Sequence, residues 1–104
     1  VVDMHHGLAN GIMIDHALAF NKEVACLRFD TMARTIGLAN ADAFFDWLKI
    51  LKKKIGIPAN LSQAHVAKSH CERLSEVAIV DACHDSNPRP VTKKDFETIF
   101  REAF

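Results

Sequence analysis

The chain has 104 residues, 49% hydrophobic and 25% charged, with as many Lys and Arg as Asp and Glu. That length holds one domain with a single modest core, and the balance belongs to a folded chain, not a disordered one. Zero net charge excludes the basic excess of a nucleic-acid footprint, so no nucleic-acid partner is expected. No apolar run approaches the roughly twenty residues of a membrane span, and no leader pattern opens the chain. Cys26, Cys71 and Cys83 are odd in number, widely spaced and without a CxxC pair, which predicts reduced thiols and a cytoplasmic setting.

Taken in order, every element reads as helix. From Leu8, apolar or small residues recur at Ala9, Ile12, Met13, His16, Ala17 and Phe20, three and four apart as on one face of a helix, and Asn21 reads as the stop. A second stripe runs through Ala25, Phe29, Met32, Ala33 and Ile36, closed by Gly37 in the place of a left-handed cap. Asn40 caps a third helix with Phe44, Trp47, Leu48, Leu51 and Ile55 on one face, and Gly56 and Pro58 end it. The triplet Lys52-Lys53-Lys54 reads as a solvated helix end, where cations are favourable.

A short turn spans Gln63 to Ala67. Ser69 and Glu72 have the spacing of a capping box for a helix through Leu74, Val77, Ala78 and Cys83. Asn87-Pro88-Arg89-Pro90 breaks it. Thr92, with Asp95 three residues on, caps a last helix that buries Phe96, Ile99, Phe100 and Phe104. No window alternates as a half-buried strand does. The expectation is an all-α bundle of five to six helices in one domain over residues 1–104.

Candidate chemistry gathers at His5-His6. Imidazole is the commonest ligand for transition metals, yet two His cannot complete a site, and no His pair in the chain has the i, i+4 spacing of HExxH. His16, His65, His70 and His84 read as ordinary surface or hydrogen-bonded residues, and the three Cys as small buried hydrophobes. His6 is set apart by Gly7, which lacks a Cβ to crowd an incoming ligand. Two further features resist explanation as packing: Asp81-Ala82-Cys83 four residues before Asn87-Pro88-Arg89-Pro90, and Phe20-Asn21 at the end of the first stripe.

At these residues the sequence resembles the C-terminal region of the iron-containing (group III) alcohol dehydrogenases. His6-Gly7-Leu8-Ala9-Asn10 is similar to that family's H-G-x-A-N, and Ile14-Asp15-His16-Ala17-Leu18-Ala19-Phe20-Asn21 to its L-P-H-V-x-x-F/Y-N. Ile55-Gly56-Ile57-Pro58-Ala59-Asn60-Leu61 resembles I-G-I-P-x-x-L, and Asp81-Ala82-Cys83 with Asn87-Pro88-Arg89 resembles D-x-C-x-x-x-N-P-R. The four segments occur in order over nearly the whole chain. Two positions depart from the pattern: His5 stands where many members carry Pro, and so does Asp15.

The resemblance implies a helical fragment of the dehydroquinate synthase-like fold, lacking the N-terminal NAD(P)-binding domain. The parent would interconvert an alcohol and an aldehyde or ketone by metal-assisted hydride transfer to or from NAD(P). The divalent metal, Fe²⁺ in most members and Zn²⁺ in some, takes one Asp and three His. His6 aligns with the last of these, and the others belong upstream. Cys83 and His5 are implied as substrate-pocket residues. No catalytic side chain and no cofactor-binding residue is assigned within the chain. The isolated fragment is expected to be inactive, and its uncovered apolar face to self-associate. Two other readings remain: a free-standing helical interaction module, and a small metal-binding bundle using His5, His6 and one other His.

Overall fold

A computed structural model of the chain describes residues 3–104, and these form four α-helices, two short 3-10 turns and no strand. Helix α1 spans His6–Thr35, α2 Ala41–Lys54, α3 Cys71–Val80 and α4 Lys93–Glu102. The all-α expectation holds, with four helices in place of five to six. The difference arises at Asn21, which does not stop a helix. Its side chain is buried, so the two predicted stripes lie on one helix of 30 residues.

That helix bends at Ala25, whose φ of −122° and ψ of 20° leave helical geometry. The bend lies about one turn beyond Phe20, whose carbonyl accepts a hydrogen bond from the Arg89 guanidinium at 3.1 Å. Side chains that intrude on the backbone ladder bend helices in this way.

Helix ends follow local chemistry. Asn40 caps α2 by accepting from the Ala43 amide at 3.0 Å. Thr92 and Asp95 form a reciprocal capping box on α4, and the amide and hydroxyl of Thr92 hold the Asp95 carboxyl below its ordinary range. Gly37 and Gly56, both at φ of 81°, close α1 and α2. In each case the amide after the glycine reaches back five residues, Leu38 to Ala33 O and Ile57 to Lys52 O. His65 repeats this closure without glycine. It sits at φ of 63°, ends the turn 61–65 and lets Val66 N reach Leu61 O at 3.0 Å.

The box expected at Ser69 and Glu72 does not form. Residues Lys68–His70 already turn as a 3-10 segment that runs straight into α3, and no side chain caps it. Helix α3 stops at Val80 rather than reaching Cys83, because the Asp81 carboxylate turns back to accept from Cys83 N at 2.9 Å.

Packing divides into two apolar clusters strung along α1. Ala25, Phe29 and Ala33 pack on Ala41, Phe44, Phe45 and Leu48 of α2, with Phe29 and Phe45 edge to face at 5.1 Å between ring centres. Ile12, fully buried, packs on Leu61, Val66 and Ala103 near the other end. The inward face of α2 is therefore Phe44, Phe45, Leu48 and Lys52, whereas Trp47 and Ile55 point outward.

Between the clusters, Lys52 is 4% exposed and Asp15 6%. The ammonium donates to Asp15 at 2.5 Å and to the Ile12 carbonyl at 2.8 Å. Lys52 thus belongs to the interior, not to the solvated end that its neighbours Lys53 and Lys54 form. No described helix is long and apolar enough to cross a membrane.

The pair makes a testable contribution. Lys52→Met alone leaves a buried carboxylate unpaired and should lower stability by about 3–5 kcal/mol in urea unfolding. Asp15→Leu with Lys52→Met removes both charges and should recover most of that loss; a double variant as unstable as the single one would show that the Lys52 side chain matters for packing instead.

Candidate functional site

Helix α1 lines up the site. His6, Asn10 and Asn21 are 4 and 15 positions apart, which places them within about 60° of arc on one helical face. His6 begins the helix and is exposed. The Asn10 amide nitrogen lies 3.1 Å from its Nε2. With the amide donating, Nε2 accepts and the ring proton sits on Nδ1. In that arrangement the Nε2 lone pair is engaged by Asn10, and Nε2 could hold a metal only once that hydrogen bond is exchanged for the ion.

A cleft of about 610 Å³ opens beside this face. Asn10, Ala17 and Asn21 supply one wall, and Asp81, Cys83, His84 and Asn87 stand opposite with Phe96 and Ile99 from α4. The opposite wall is a 3-10 turn over Ala82–Ser86. His84 braces it with a ring nitrogen 3.0 Å from the Ile79 carbonyl and an edge-to-face contact with Phe96 at 5.6 Å between ring centres.

Cys83 lines this cleft, and it is exposed. Three influences act on the thiol: hydrogen bonding with the neighbouring Asp81 carboxylate, that carboxylate's negative charge, and slight desolvation. All three push the Cys83 pKa up, while the same hydrogen bonds hold Asp81 below its ordinary value. A thiol kept protonated lines the wall as a neutral group and is a poor nucleophile.

His5 is not part of the cleft lining. Its ring lies against Gly7, where a Cβ would fall 3.3 Å from Cε1 and 3.4 Å from Nδ1. The space that the glycine leaves open is taken by His5, not kept for a ligand. The remaining imidazoles stay apart: His16 bonds the Ala59 carbonyl at 3.1 Å, and His65 serves the turn described above.

Asn10, Asn21, Asn87 and Arg89 are the residues that side-chain type alone did not single out as a set. Each lay inside a segment quoted for its pattern, and only the fold shows that they converge. Among the described residues, no three His, Cys, Asp or Glu gather where an ion could be held. The fit to a divalent metal is therefore that of one exposed imidazole, His6, whose Nε2 is engaged by Asn10.

In sequence and in fold the chain is similar to several known proteins. Residues 1–104 match the model of the Fe-containing alcohol dehydrogenase family, C-terminal. The NADPH-dependent butanol dehydrogenase of Clostridium saccharobutylicum is 33% identical over 110 residues, covering 96% of this chain and 28% of that protein. The NAD-dependent methanol dehydrogenase of Bacillus methanolicus is 30% identical over 111 residues, covering 99% of this chain and 29% of that protein. Among solved structures, 1,3-propanediol oxidoreductase superposes with a TM-score of 0.87 at 30% identity, covering 98% of this chain and 29% of that one. The chain thus spans less than a third of the length of the relatives it matches.

Asp81 controls Cys83 in a way that labelling can read. Asp81→Asn removes the charge and the carboxylate acceptor that disfavour the thiolate, so Cys83 should be alkylated from a lower pH upward, with Cys26 as the unchanged internal reference. Site-resolved mass spectrometry across a pH series measures it, and an unmoved Cys83 profile would remove Asp81 from this role.

Proposed function

This chain belongs to the Fe-containing alcohol dehydrogenase family, and on that premise we propose that it is the helical, metal-side part of an oxidoreductase. The enzyme would interconvert a small alcohol and its aldehyde or ketone with NAD(P). The observation that supports this reading most directly is His6, oriented by an Asn10 that also lines the cleft holding Cys83. Two relatives, a butanol dehydrogenase that depends on NADPH and a methanol dehydrogenase that depends on NAD, support a nicotinamide cofactor without choosing between its two forms.

When bound, a divalent metal, Fe²⁺ before Zn²⁺ by family, supplies charge that eases loss of the alcohol's proton, and NAD(P) accepts the hydride. The roles of this chain's own residues are narrower. His6 would offer Nε2 to the metal, the ion taking the place of the Asn10 contact there. Asn10 and Cys83 present neutral polar groups to the substrate side of the cleft. His5, exposed beside His6, remains a candidate neighbour of the substrate. The other metal donors and the cofactor-binding residues lie, on this reading, in sequence outside the chain. Three free cysteines fit a reducing, cytoplasmic setting.

A chimera tests the proposal. This chain is grafted in place of the matching C-terminal 28% of the butanol dehydrogenase, and metal content and butanol oxidation are measured together. The graft should retain about one divalent ion per chain and oxidise butanol, and His6→Ala should lose both. A folded graft that keeps its metal without His6 would overturn the assignment, as would robust NAD(P)-linked oxidation by the 104-residue chain alone.

Exposed apolar side chains support self-association of the isolated chain. Leu27 is 79% exposed, Val80 82% and Ile50 and Ile55 64% each, more than scattered surface residues require. Sedimentation velocity should show dimers or larger species at high concentration, and a clean monomer throughout would remove the suggestion.

A further inference from the structure

The segments that sequence left unexplained, Phe20-Asn21 and Asn87-Pro88-Arg89, meet each other across the cleft. The carboxamides of Asn21 and Asn87 pair reciprocally, Asn21 Nδ2 donating at 2.8 Å and Asn87 Nδ2 at 2.7 Å. Asn87 Nδ2 also donates to the Arg89 carbonyl at 2.8 Å. The Arg89 guanidinium lies 4.0 Å from the centre of the Phe20 ring and donates to the Phe20 carbonyl. The clasp is chemically selective, because only a group that both donates and accepts can complete the reciprocal pair.

Three facts make this more than a stabilising tie. Among the described residues, these are the only side-chain hydrogen bonds joining residues 81–91 to α1. Both asparagines line the cleft that Cys83 lines from the same segment. Pro88 and Pro90 fix φ on either side of Arg89, and Asn87 adopts the extended geometry, φ −66° and ψ 145°, that a following proline favours. The wall is stiff along its own length, so its distance from α1 is set at the clasp.

We propose that Asn21, Asn87 and Arg89 are positioning residues that hold the 81–91 wall, with Cys83, at a fixed distance from α1 and thereby select the size of the alcohol admitted. The size selection rests on the dehydrogenase reading; the positioning does not.

Hydrogen exchange on the chain itself tests the positioning. Asn21→Ala and Asn87→Ala should each speed exchange of the Cys83 and Asn87 amides by about tenfold, the scale of one lost buried hydrogen bond. The double variant should add little to either single one, and α2 should stay within about twofold. Additive effects, or a matching rise in α2, would overturn the clasp. If the alanine variants do not fold, Asn87→Asp keeps the shape but removes both donations, and the same local signature is expected.

Size selection is read in the butanol dehydrogenase graft as KM for methanol against KM for 1-butanol. Asn87→Ala should change that ratio by several-fold and raise KM more than it lowers kcat. An equal shift for both alcohols would overturn size selection and leave the exchange result standing. A graft that folds but oxidises neither alcohol would overturn the dehydrogenase reading and the selection with it, while hydrogen exchange decides the clasp independently.

Discussion

The continuity of α1 is the constraint on which the other features depend. A helix of 30 residues, bent at Ala25, contributes to both apolar clusters, Ile12 to one and Phe29 and Ala33 to the other. Neither cluster draws on the other's partners. The turn 61–66 and the end of α4 close over Ile12, and α2 folds back on Phe29. What unites them is the helix itself and one buried ion pair, Asp15 with Lys52, placed between the clusters. The desolvation of two charges is an expensive way to join two helices, but it fixes which face of α2 turns inward.

The site follows from the same helix. His6, Asn10 and Asn21 share a face because a helix repeats every 3.6 residues, and Asn10 and Asn21 line the cleft while His6 stands one turn before Asn10, outside the lining. The opposite wall has little apolar burial to hold it. Ala82, Cys83, Asp85 and Ser86 are all exposed, and the segment is tied by polar groups instead: Asp81 to the Cys83 amide, His84 to Ile79 and Asn87 to Asn21. Directional bonds set position more narrowly than apolar contact does, which suits a surface that must fit a small substrate. The same Asp81 that starts the turn keeps Cys83 neutral, so local structure and the chemistry of the wall share one carboxylate.

Much of this was legible in the sequence, and the failures have a common cause. Asn40, Gly37, Gly56 and the Thr92–Asp95 box were readable because their partners lie within a few residues. The motif segments around His6, Asn21 and Cys83 were readable as a family pattern. Asn21 was misread as a stop because its partner is 66 positions away. Lys52 was misread as solvated because Asp15 is 37 positions away, and Trp47 and Ile55 took the place of Phe45 and Lys52 on the inner face for the same reason. Periodicity assigns a buried stripe to apolar residues; it has no means of pricing a lysine whose counter-charge lies on another helix. Ser69 failed differently, since a 3-10 turn ahead of α3 had already passed the position where a cap would act.

A helix that serves two clusters and a clasp at once is also a ruler. Each residue added to or removed from α1 turns everything beyond it by about 100° and shifts it by about 1.5 Å. One insertion between Asn10 and Asn21 would point the Asn21 carboxamide away from Asn87; one between Asp15 and Phe29 would turn the Phe29 ring out of its cluster while the carboxylate stayed in place. The connections 36–40 and 81–92 have no such coupling along the helix axis, although the second is pinned at Asn87. Changes of length in related chains are therefore expected in the link between α1 and α2, with none between His6 and Phe29.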